Sequence, residues 1–168
     1  MSGINVKIRW SFKPLLKLDC LSFLKAELYY FLTGNAVNEY TDAHTLTMCS
    51  PFEMRWEYKI LDKLNFPRDI FCEIVKPGTE IGKIQKSICD ELSINPIPVI
   101  APATHDTPSA IAGIPVVDKS KNKVFISIGT WVITIIEMEK HNISRQVYKS
   151  RYANEAGVEG KMLLFNVL

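Results

Sequence analysis

The sequence predicts an α/β fold. Three observations carry that prediction. Apolar residues recur at helical spacing over residues 15–33, 56–64 and 83–92, as amphipathic helices require. A short apolar run, Pro98-Val99-Ile100-Ala101-Pro102, leads through a turn into the small-residue segment Ser109-Ala110-Ile111-Ala112. That is the pattern of a strand running into a helix. Two β-rich runs, residues 123–128 and 132–136, flank Gly129-Thr130-Trp131 and read as a hairpin with glycine at its turn.

The elements follow in order. Residues 1–14 have no clear pattern. In the first helix Leu21, Leu24, Leu28, Phe31 and Leu32 form the expected core-facing stripe, and Gly34 is the expected C-cap. Residues 35–47 are polar, centred on Asn38-Glu39-Tyr40-Thr41-Asp42. Ser50-Pro51-Phe52-Glu53 has capping-box spacing with proline at the first helical position. Trp56, Ile60, Leu61 and Leu64 then predict a short amphipathic helix, which Pro67 stops. Pro77-Gly78 is a turn signal. Ile84, Ile88 and Leu92 repeat every four residues and predict another helix over 83–92. The character changes after Ile114-Pro115, so a new unit is expected from about residue 116. Lys119, Lys121 and Lys123 alternate in what reads as a solvated loop. The final apolar run, residues 162–168, stops without a cap, and the chain is expected to be cut off there.

Composition narrows the function. The chain has 168 residues, 47% of them hydrophobic and 23% charged, which describes a globular protein. A net charge of +2 and the absence of adjacent Lys or Arg residues argue against a nucleic-acid or membrane partner. No uncharged apolar run approaches the ~18 residues of a membrane span. Lys17, Asp19, Lys25 and Glu27 interrupt the apolar start, which argues against a signal peptide. Cys20, Cys49, Cys72 and Cys89 are irregularly spaced and do not cluster with His44, His105 or His141. Zinc is therefore not expected, and reduced thiols in a cytoplasmic protein are.

Residues 103–110, Ala-Thr-His-Asp-Thr-Pro-Ser-Ala, carry the chemistry. They place His105, Asp106 and Thr107 where a strand ends and a helix begins. Ligands of open α/β sheets sit outside the carboxyl ends of strands. An imidazole, a carboxylate and a hydroxyl at such a point suit a polyhydroxylated ligand, and Asp106 could take a proton from it. The competing reading is plain: Thr104, Asp106 or Thr107 is only a helix N-cap.

Several motifs in one order decide between these readings. Ala103-Thr104-His105-Asp106-Thr107 is followed about two dozen residues later by Ser127-Ile128-Gly129-Thr130-Trp131, and then by Asn154-Glu155-Ala156-Gly157 before an end that reads as helix-like. Leu32-Thr33-Gly34, Val37-Asn38-Glu39-Tyr40-Thr41 and Pro77-Gly78-Thr79 precede them. Together these resemble the FGGY family of carbohydrate kinases, most closely its rhamnulose-phosphorylating branch, from about Leu15 to the last residue.

The resemblance implies a ribonuclease-H-like fold of the actin/hexokinase ATPase type. It implies that residues 1–115 are the C-terminal part of the first, sugar-binding lobe and that residues 116–168 begin the second, ATP-binding lobe. It implies an ATP-dependent kinase of a ketose, L-rhamnulose foremost, with ATP and Mg2+ as cofactors and no metal ligand in this chain. Asp106 matches the family's catalytic base. His105 and Thr107 match sugar-holding positions. Gly129 and Thr130 match the hairpin that touches the ATP phosphates. Asn166 matches a substrate-contacting Asn near the start of the next helix. For Asn154 and Glu155 the reading is a solvated loop, with no role assigned.

The chemistry agrees with the resemblance. Phosphoryl transfer asks mainly for positioning and charge stabilisation, with a base beside the attacking hydroxyl. A carboxylate suffices because that hydroxyl becomes acidic only late in transfer. A glycine turn lets backbone N–H groups approach phosphate closely. The departures are Ile128 for the family's Ser, Ala156 for its Gly and Phe165 for its usual Lys. Nothing in residues 1–14 resembles the phosphate-binding glycine loop, and the adenosine motif is absent. The chain is expected to be the middle of a kinase, inactive alone. The alternatives are a non-catalytic sugar-binding or interaction remnant, and a kinase of fuculose or xylulose.

Overall fold

A computed structural model describes residues 24–50, 52–116 and 123–167. Helix α1 spans Leu24–Thr33, so residues 15–23 of the expected helix lie outside the described range. Gly34 ends it as expected. Its φ of +82° is one that side chains disfavour, and its N–H donates to the Tyr30 carbonyl at 2.7 Å. The buried face differs from the expected stripe. Ala26 and Tyr29 are buried, whereas Leu28 and Phe31 are 56% and 48% exposed. Residues three apart share a helix face. Here that face is set by the strands beneath and by Lys25, which reaches Asp42.

The polar stretch after Gly34 is structured. Strand β1 (Val37–Glu39) runs directly into helix α2 (Tyr40–Thr45). The capping-box prediction at Ser50 fails. Residues 52–55 form bends, and Cys49 bridges to Trp56. Ser50 instead closes a loop: its N–H donates to Arg55 O at 2.8 Å, and its Oγ accepts from Phe52 N at 3.3 Å. Helix α3 (Tyr58–Lys63) buries Leu61 but leaves Ile60 and Leu64 exposed. It ends through Asn65 in the left-handed region, before Pro67 is reached. A 3-10 turn (Arg68–Ile70) leads to β2 (Glu73–Val75), which pairs in parallel with β1.

Strand β3 (Glu80–Lys83) follows the Pro77-Gly78 turn. The predicted helix 83–92 therefore starts late, as α4 (Lys86–Leu92). The reason is pairing: Lys83 sits opposite Pro98 of β4 (Pro98–Ile100), and the strand ladder takes the residue at which periodicity alone started the helix. Helix α5 (Asp106–Ala112) leaves β4 through residues 101–105.

The second part is a four-stranded antiparallel sheet of β5 (Val124–Ile128), β6 (Val132–Met138), β7 (Ala153–Ala156) and β8 (Met162–Val167), ordered β5-β6-β8-β7. Helix α6 (Arg145–Lys149) joins β6 to β7, with the Ser144 hydroxyl capping it at Val147 N. The β5–β6 hairpin is as expected, with Gly129 N donating to Trp131 O at 2.9 Å. The helix-like end is not: those residues form β8. Met162, Leu163 and Leu164 are consecutively buried in β8, which pairs with β6 on one edge and β7 on the other.

Two cores hold these pieces. One gathers Ala43, Cys49, Trp56, Leu61, Phe71 and Ile74, with the Trp56 and Phe71 rings edge-on at 5.0 Å. The other packs Ile111 of α5 on Ile135 and Leu163 of the antiparallel sheet. It ties the helix that follows the Thr-His-Asp-Thr turn to that sheet. Cys49 and Cys89 are buried free thiols. Among the described residues no helix is long and apolar enough to cross a membrane.

Candidate active site

Glu39 organises the turn between β4 and α5. It ends β1, is 2% exposed, and its side chain accepts four hydrogen bonds. Two come from Thr41 (N at 2.9 Å, Oγ1 at 2.5 Å) and two from Thr104 (N at 2.9 Å, Oγ1 at 2.8 Å). Thr41 Oγ1 in turn accepts from His105 N at 3.2 Å. Lys25 Nζ donates to Asp42 Oδ1 at 3.1 Å and to the Thr104 carbonyl. The turn is therefore clamped by β1, α1 and α2, which are distant in sequence. A buried carboxylate is tolerated because its acceptor sites are filled.

The cap question resolves against Asp106. His105 holds the N-cap position of α5 and makes no side-chain cap bond; Asp106 is the first helical residue. Its Oδ1 accepts from Thr107 N at 2.7 Å, and the side chain is 94% exposed. His105 lies between two carboxylates. Its Nε2 is 3.4 Å from Asp106 Oδ1, and its Nδ1 is 3.4 Å from Glu155 Oε2 on β7. Burial pushes the Glu155 carboxyl above its usual range; the His105 ring opposes that shift, and Asp106 adds to it. Beside the cluster, burial and the charges of Glu39 and Asp42 push the Tyr29 phenol up to about 12. Tyr29 Oη and both amide atoms of Asn38 are buried without a hydrogen-bond partner.

The structure brings His105, Asp106 and Thr107 together. Gly129 and Thr130 are exposed at the β5–β6 turn, and a Cβ at Gly129 would meet nothing within 4 Å. No hydrogen bond or ion pair among the described residues joins that turn to residues 105–107. Asn166 lies on β8 opposite Thr134, and its Nδ2 donates to Ser150 O at 3.2 Å. A cleft of about 700 Å³ lies elsewhere, between Tyr40, Phe52, Met54, Lys76, His141 and Met162.

Sequence reasoning assigned no role to Glu39, Thr41, Lys25 or Glu155. A faint signal existed for two of them. Glu39 and Thr41 sit in a segment that the resemblance singled out, without a role attached.

The mixed α/β arrangement is shared with solved sugar kinases. A gluconate kinase from Lactobacillus acidophilus superposes with a TM-score of 0.70 at 18% identity, over 89% of this chain and 29% of that one. A glycerol kinase from Plasmodium falciparum, solved with ADP, superposes with a TM-score of 0.66 at 20% identity, over 88% and 29%. The fold is thus the ribonuclease-H-like one of the actin/hexokinase type. The profile of the FGGY family of carbohydrate kinases, N-terminal domain, matches residues 11–113, and the chain belongs to that family. A rhamnulokinase from Bacteroides thetaiotaomicron is 34% identical over 146 residues, which are 87% of this chain and 30% of that protein. One from Pectobacterium atrosepticum is 35% identical over 143 residues, 85% and 27%. The chain spans less than a third of the length of these curated relatives.

Proposed function

We propose that this chain supplies the sugar-activating part of an ATP-dependent kinase that phosphorylates a ketose, L-rhamnulose, at its primary hydroxyl. The carrying observation is the Asp106 carboxylate, exposed at the first residue of α5, on a turn that Glu39 holds through Thr104. Asp106 takes the proton from the sugar hydroxyl. That oxygen bonds to the γ-phosphorus while the bond from phosphorus to the bridging oxygen breaks, and ADP leaves with the electron pair. His105 and Thr107 hold the sugar. Gly129 and Thr130 approach the phosphates, and Asn166 contacts substrate from β8. Residues 1–115 belong to the first lobe and 116–168 to the second; the family's N-terminal-domain match ending at residue 113 supports that division.

The rhamnulokinase relatives support the choice of sugar, and the glycerol kinase solved with ADP supports the nucleotide. ATP reacts as its magnesium complex. Among the described residues no group of three or more His, Cys, Asp or Glu could hold a metal ion.

The test is ADP release with L-rhamnulose, measured on the protein expressed from its complete gene. Asp106→Asn should abolish transfer while calorimetry still detects sugar binding. Near-normal turnover of that variant removes Asp106 as the base. Sugar binding without transfer by the parent protein would favour a non-catalytic module, the reading that the departures at Ile128, Ala156 and Phe165 motivate. Faster turnover of fuculose or xylulose would reassign the substrate.

A further inference from the structure

We propose that Glu155 is a positioning residue that holds Asp106 in place through His105. The inference rests on the sugar-kinase reading above and assigns a role to a residue that the sequence left as solvated loop.

The geometry is a line of three groups. Glu155 Oε2 stands 3.4 Å from His105 Nδ1, and His105 Nε2 stands 3.4 Å from Asp106 Oδ1. Side-chain exposure rises along that line, from 17% at Glu155 and 21% at His105 to 94% at Asp106. The chemistry is thus presented outward from a sheltered support.

Each end of the line is rigid where it must be. Glu155 belongs to β7 and pairs with Leu163 of β8, a residue of the second core; its neighbour Ala156 is fully buried. The His105 backbone is fixed at both groups: its N–H donates to Thr41 Oγ1 at 3.2 Å and its carbonyl accepts from Ser109 N at 3.2 Å. The rotation of the imidazole is what remains to be set. The Glu155 charge faces one ring nitrogen and favours the ring orientation that turns the other nitrogen to Asp106. His105 Nδ1 is buried without a hydrogen-bond partner, so the support is electrostatic rather than a hydrogen bond.

A structural role alone explains Glu155 poorly. Taking a carboxylate out of water costs free energy, and replacing buried charges with packed apolar residues is often neutral or stabilising. Glu155 lies in a sheet whose core is apolar, and it faces the one imidazole that touches the proposed base. It also joins the antiparallel sheet to the β4–α5 turn, so the arrangement of Asp106 depends on both parts of the chain.

Glu155→Gln keeps the volume and removes the charge, which a packing role would tolerate. Two measurements read it. In the 168-residue chain labelled with ¹⁵N-histidine, the ring nitrogens are assigned with His44→Gln and His141→Gln. Glu155→Gln should shift both His105 nitrogens and leave those of His44 and His141 in place. In the protein expressed from its complete gene, the same variant should lower kcat for L-rhamnulose by roughly 10- to 100-fold, as expected when a reacting group is misplaced, with KM within about twofold. Glu155→Asp, which restores the charge at shorter reach, should recover part of the loss. Unmoved His105 signals in a folded Glu155→Gln protein, or an unchanged kcat, overturn the proposal. If the parent protein transfers no phosphate to any sugar while the His105 signals still move, the kinase reading falls and the catalytic role of Glu155 falls with it; the carboxylate–imidazole–carboxylate contact alone stands.

Discussion

Acid should destabilise this chain through His44, well above the pH at which carboxylates titrate. His44 lies in α2 and is 8% exposed. Its ring stacks on that of His141 at 5.6 Å, with the two Nε2 atoms 3.4 Å apart, and the Tyr40 ring lies edge-on at 5.7 Å. Burial first, and His141 second, push the His44 pKa down from 6.5 to about 4. Between those values the unfolded chain carries a proton on His44 and the folded chain does not. Stability is then complete above about pH 6.5 and falls as the pH drops towards 4. Moving from pH 7 to pH 5 should cost about 2 kcal/mol from this residue, a large share of a typical stability of roughly 5–15 kcal/mol. His141 is also shifted down by burial and acts in the same direction. Glu155, shifted up, acts in the opposite direction. A comparison therefore isolates the effect: urea unfolding followed by Trp fluorescence at pH 7, 6 and 5, in the parent chain and in His44→Gln. Trp56, buried in the first core, reports the transition. The parent should lose about 2 kcal/mol more than the variant over that range. Parallel pH curves for the two proteins would refute the reasoning.

Two further predictions concern the support of the site. Glu39→Gln puts an NH2 where only donors point, because Thr41 and Thr104 both donate to that carboxylate. One buried N–H is then left unpaired whichever way the amide turns, at a cost of about 1–3 kcal/mol by denaturant titration; a variant as stable as the parent would show that the clamp is not formed. Gly157→Ala brings a Cβ to 3.0 Å from the Lys161 carbonyl oxygen and 3.3 Å from its carbon. Backbone cannot yield as a side-chain tip does, so a loss of about 1–3 kcal/mol is expected, read as a lowered melting temperature.

Local pattern made much of the fold legible. The helix ending at Gly34, the Pro77-Gly78 turn, the strand at Pro98–Ile100 and the β5–β6 hairpin each rest on signals within a few residues: a glycine that tolerates positive φ, a proline, a β-branched alternation. The misreadings share one cause. Lys83 and Met162–Val167 became strand because partners distant in sequence pair with them, at Pro98 for the first and on both edges for the second. Ser50 met the local rule for a capping box but closes a loop onto Arg55 instead.

The sequence by itself determined the family, the α/β character and the three adjacent residues His105, Asp106 and Thr107, since these are contiguous and their types announce their chemistry. Only the tertiary structure decided what stands behind them. Glu39 reaches Thr104 across 65 positions, and Lys25 reaches the Thr104 carbonyl across 79. Glu155 reaches His105 from another sheet. A carboxylate in a polar stretch looks the same whether it is solvated or buried. Its role depends on which donors the fold carries to it, and chain spacing does not encode that.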